Sequence, residues 1–122
     1  MSQHPARVPD FLQHIVAAID KVQSYTAGLD EAAFTADSLV QDAVIRNLEI
    51  IGEASRNLER HAPGFAELHP ELPLGAAYEM RNVLAHGYFQ VDLHLVWQTI
   101  QHDLPPLRNA VASLLTLPPA NA

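Results

Sequence analysis

Apolar residues in this chain return every three or four positions, in segment after segment from Phe11 to Leu115. That spacing lays them along one stripe of a helix with about 3.6 residues per turn, whereas a half-buried strand requires strict alternation. No alternating pattern, internal repeat or low-complexity tract interrupts it. A helix with one apolar stripe must bury it against another helix, so the chain is restricted to helix-on-helix packing. The expectation is an all-α fold, an antiparallel four-helix bundle with a broken last helix. At 122 residues, with 48% hydrophobic and 17% charged residues, there is material for a single domain over 1–122 and one modest core.

The first helix is predicted from Pro9 to Ala27, carrying Phe11, Leu12, Ile15, Ile19 and Val22, with Gly28 as its stop. A short acidic segment, Leu29 to Ala36, links onward. Asp37 or Ser38 can cap the second helix, whose stripe is Val40, Val44, Leu48, Ile51, Ser55 and Leu58. Ile45 and Gly52 mark a second face, where Gly52 permits close approach of another helix. Pro63, Gly64, Pro70 and Pro73 end this helix and build the long connection. Leu74 to His86 reads as the third helix, with Gly87 at its C-terminus. Asp92 caps the fourth, which carries Leu93, Val96, Trp97, Ile100 and Leu104. Pro105 and Pro106 then kink or split it, because proline removes a helical donor and clashes with the preceding turn. Leu107, Val111, Leu114 and Leu115 continue the stripe to Pro118 and Pro119.

Composition narrows the function. No apolar run reaches the ~20 residues that span a bilayer. Met1 to Asp10 has neither a basic start nor an apolar core, so no signal peptide, no membrane association and a cytoplasmic location are expected. Cysteine is absent, which removes disulfides, thiolate metal sites and cysteine nucleophiles. The net charge of −7 opposes a broad nucleic-acid footprint. Of the seven Lys and Arg residues six are Arg, a bias that suits a few directed, bidentate contacts.

The segment that combines the groups for phosphodiester chemistry is Arg81-Asn82-Val83-Leu84-Ala85-His86-Gly87-Tyr88. Arg81 can fork onto phosphate oxygens, and His86 can move a proton near neutral pH. Asn82 adds a donor and an acceptor, and Tyr88 a hydroxyl. On one helix Arg81 and His86 stand about 140° apart after a full turn, whereas Asn82 and His86 share a face. A two-fold dimer bringing two copies of the motif to one cleft would reconcile the spacing with joint action on a phosphate. Arg46 and Arg56 could extend an RNA path or could be solvated or paired with Glu49, Glu53 and Glu59. The pair Glu49 and Glu53 reads as structural or exposed. His4, His14, His61, His69, His94 and His102 show no metal-ligand spacing, so no metal and no cofactor are expected.

The pattern at Arg81, His86 and Tyr88 resembles the R-x4-H-x-Y motif of the HepT-like toxins, members of the HEPN superfamily of small all-helical proteins. Gly87, Phe89, Val91, Asp92, Val96, Trp97 and Asp103 to Leu107 are also similar to that family, as is Asp42 to Ala54. The resemblance implies a metal-independent endoribonuclease acting on tRNA or mRNA, the toxin of a bacterial type VII-like toxin–antitoxin pair. It implies Arg81 and His86 as catalytic residues with Asn82 in support. The implied partner is an MntA-type nucleotidyltransferase antitoxin that transfers AMP onto Tyr88. A different class of function stays open on the residues alone: a non-catalytic helical module that binds a nucleotidyltransferase.

Overall fold

The structure, a computed structural model, describes residues 7–70, 72 and 91–116. Among these, every regular element is helical. Helix α1, Arg7–Thr26, runs for 20 residues. A left-handed Gly28 (φ 79°) follows it, and the Leu29 N–H closes the turn by donating to the Thr26 carbonyl at 3.0 Å. Pro9 sits in the first turn, where a missing N–H leaves no helical bond unmade.

The expected linker over Leu29 to Ala36 contains a helix, α2, Glu31–Thr35. Asp30 caps it by accepting from the Ala33 N–H at 2.8 Å. The Gln41 side-chain amide closes the other end, donating to the Phe34 and Thr35 carbonyls at 2.9 Å each. Five residues are too few to display a helical period, so the sequence pattern could not reveal this element. Its anchor is Phe34, wholly buried and tilted against the Trp97 ring at 5.4 Å between centroids.

Helix α3, Ser38–His61, is 24 residues long, and of its two candidate caps Asp37 is the one used, accepting from the Val40 N–H at 3.1 Å. Its buried residues include Val44, Leu48, Ile51, Ser55 and Leu58, the expected stripe, while Val40 is half-buried. Ile15, Ile19 and Val22 of α1 join them in the core. Phe11, near the start of α1, stacks on His61, the last residue of α3, at 5.5 Å, so the two helices run antiparallel. A further short helix, α4, Phe65–Leu68, lies in the long connection.

The last helical stretch among the described residues comprises α5, Leu93–Gln98, a π-helical turn, Thr99–Asp103, and α6, Leu104–Leu115. The choice between kink and split resolves as a π-turn. Pro105 and Pro106 stand in the first turn of α6 and supply no N–H to the turn before them. The wider π geometry, with the Leu104 N–H donating back to the Thr99 carbonyl, accommodates the prolines without leaving the helical path. Leu104, Leu107 and Val111 then close the core against α1, and Arg108 holds Asp20 at 2.8 Å through Nε and 3.4 Å through Nη2.

Gly28 gives a direct test of the α1 stop. A Cβ there would meet no atom within 4 Å, so Gly28→Ala carries only the backbone cost of the left-handed conformation. It should destabilise by about 1–2 kcal/mol, read as a lower urea midpoint, and Gly28→Asn should lose less.

Candidate functional site

Arg81, Asn82, His86 and Tyr88, with the expected helix 74–86 and its Gly87 stop, lie outside the described residues. Both flanks of that segment are fixed to the core. Upstream, Leu72 is 5% exposed within the core cluster, and its N–H donates to the His69 carbonyl at 3.0 Å. Downstream, Val91 packs half-buried against the same cluster. Asp92 then caps α5, accepting from the Leu95 N–H at 3.1 Å, as its position predicts.

A second latch holds the downstream flank. His94 Nδ1, on the first turn of α5, meets Glu31 Oε2 of α2 at 2.7 Å. The hydrogen bond to Glu31 and then its negative charge raise the His94 pKa from 6.5, with a smaller push from Asp92 against slight desolvation. Together with the Phe34–Trp97 contact it ties α2 to the helix that follows the motif. A raised histidine pKa means the folded state holds its proton more tightly than the unfolded state. The stabilisation is therefore complete below pH 6.5 and is lost as pH rises through the raised folded value. The contribution of this pair to the melting temperature should fall over that window, and His94→Ala should remove that part of the pH dependence. An unchanged slope in the variant would refute the latch.

The two other candidate cations sit on α3, both exposed. They are ten residues apart, so they stand about 80° from one another around the helix and do not form one track. Arg46 borders a cleft of about 450 Å³ with Glu49, Ile50, Glu53 and Asn57 of α3 and His14 of α1. Arg56 is not among the described lining residues. Glu49 and Glu53, expected to be structural or exposed, are exposed and line this cleft. The α3 contribution is legible as a row at positions 46, 50, 53 and 57. His14 was not, because only the packing of α1 on α3 brings it there. Arg46 and Glu49 make no ion pair with each other or with another described residue, although three residues apart. An Arg preceding a Glu is the less favourable order for pairing on a helix.

Among the described residues no group of three or more His, Asp or Glu side chains is placed to hold a metal ion. No described helix is long and apolar enough to cross a membrane.

Residues 15–114 match the family described as ribonuclease HepT-like. A probable ribonuclease HepT of Thermococcus cleftensis is 40% identical over 105 residues, covering 86% of this chain and 93% of that protein. A putative RNase of Methanocaldococcus jannaschii is 36% identical over 104 residues, 85% of this chain and 93% of its own length. A second protein of that organism, a gamma-glutamylcyclotransferase and putative RNase, is 37% identical over 105 residues that make up 46% of it. No solved structure matches the chain.

Proposed function

The chain belongs to the ribonuclease HepT-like family, and from that membership we propose that it is a metal-independent endoribonuclease with its site on Arg81 and His86. The observation that carries this reading is the family match itself, which spans residues 15–114 and so takes in the whole motif from Arg81 to Tyr88. The fixed flanks support it, because a site on the segment between Leu72 and Asp92 gains from ends that do not drift.

Metal-free RNA cleavage needs a base, an acid and a phosphate clamp. His86 takes the proton of the ribose 2′-OH, whose oxygen attacks the adjacent phosphorus. The bond from phosphorus to the 5′-oxygen breaks, and that oxygen receives a proton from a second His86 across a two-fold dimer. The products are a 2′,3′-cyclic phosphate and a 5′-OH. Arg81 stabilises the charge that builds on the phosphoryl oxygens, and Asn82 orients the phosphate or the His86 ring.

In the cell the protein acts as the toxin of a toxin–antitoxin pair on tRNA or mRNA. An MntA-type nucleotidyltransferase silences it by moving AMP onto the Tyr88 hydroxyl. The added phosphate stands two residues from His86 and competes with substrate for Arg81.

On total cellular RNA in EDTA, wild type checked by intact mass as unmodified should cut and leave cyclic phosphate ends. Arg81→Ala and His86→Ala should each lose about 10²–10³ in rate. Uncut RNA from unmodified wild type would favour the non-catalytic module that binds a nucleotidyltransferase. Tyr88→Phe should remain toxic when co-expressed with the nucleotidyltransferase. Neutralisation of that variant would reject Tyr88 as the control point.

A further inference from the structure

The cleft on α3 contains charged groups that the proposed cleavage chemistry does not use. Arg46 and Glu49 both line it, and neither has a partner among the described residues. Opposite charges left apart in one depression suit a ligand that brings both an anion and hydrogen-bond donors. The cleft's volume of about 450 Å³ is within the usual range for small-molecule sites. A nucleotide has that dual character, with a phosphate at one end and a base edge at the other.

We propose that this cleft is a base-reading subsite for guanine, with Glu49 accepting from the base and Arg46 taking the neighbouring phosphate. A carboxylate has only acceptors, so it selects a base edge made of donors. Guanine offers N1–H and the 2-amino group side by side, a match for two carboxylate oxygens. Uracil offers one N–H between two carbonyls, and those carbonyls face the carboxylate unfavourably. Asn57 can serve either a donor or an acceptor on the base, and Ile50 adds an apolar lining. His14 on the α1 side offers a ring against which a base can stack. Single-stranded RNA bases are read in this manner, splayed from the stack and bonded along their Watson–Crick edge.

The arrangement also addresses the net charge of −7. Carboxylates repel a sugar-phosphate backbone laid along the groove, but they attract a base turned inward with its phosphate held at Arg46. The proposal rests on the ribonuclease reading insofar as the guanine belongs to the RNA substrate.

The test is an NMR titration of isotopically labelled wild type, Glu49→Gln and Arg46→Ala with 5′-GMP, 5′-IMP, 5′-UMP and guanosine. Glu49 and Arg46 are exposed, so neither variant endangers the fold. GMP should shift the amides around His14, Glu49 and Asn57 and should bind about tenfold tighter than UMP, with IMP between them. Glu49→Gln should erase that preference. Arg46→Ala should weaken GMP but leave guanosine unchanged. Equal shifts with GMP and UMP, or none at the cleft, would overturn the proposal. So would cleft signals that move with protein concentration alone, which would mark the groove as a contact between copies of the chain. RNA cleavage without guanine preference strikes this inference and leaves the ribonuclease standing. GMP binding with intact RNA does the reverse.

Discussion

The contact on which the rest of the structure depends is the apolar seam between α1 and α3. These are the two longest helices among the described residues, and their stripes supply Ile15, Ile19 and Val22 on one side and Val44, Leu48, Ile51 and Leu58 on the other. Neither helix has an exceptional intrinsic propensity, so their stability comes from burying this face. The seam fixes α1 as a platform for α6, and the Asp20–Arg108 pair marks that second contact at its rim. It also sets the surroundings of the cleft, since His14 reaches the α3 row only because the helices lie side by side.

Three aspartates do much of the local work. Asp30, Asp37 and Asp92 each accept from the N–H three residues on and start α2, α3 and α5 respectively. Each cap satisfies a donor the helix cannot satisfy itself and places a negative charge at the positive end of the helix dipole. The placement of the caps decides where the connections end. For Asp92 this means that the stretch after the motif ends at a defined point.

Much of this was legible because helical periodicity is a local property. The stripe on α3, the Gly28 stop, the Asp92 cap and the disturbance at Pro105 and Pro106 each follow from residues within a turn or two of one another. What escaped was either too short or too distant in sequence. Helix α2 has a single buried residue, Phe34, and one residue has no period. The His94–Glu31 latch joins positions 63 apart, and nothing in either neighbourhood announces the other. Of the cleft, Arg46, Glu49 and Glu53 stood out in the sequence as charged residues, but their meeting with His14 depends on the packing of α1 on α3. The motif carries the family resemblance in its own letters, which is why the family was readable even though the segment lies outside the described residues.

The π-turn over Thr99–Asp103 constrains how this region can change. It winds more residues into one turn than an α-helix does, so α5 and α6 share a path but differ in phase. Shortening this stretch to an ordinary α-turn would rotate Leu107 and Val111 away from α1 unless the helix were rephased elsewhere. It would also drive Pro105 and Pro106 into the carbonyls before them. Replacing the prolines alone would leave the wide turn without the residues that require it. Length and proline content are therefore coupled here, and descendants of this chain that lose one without the other would sacrifice the fit of the last helix.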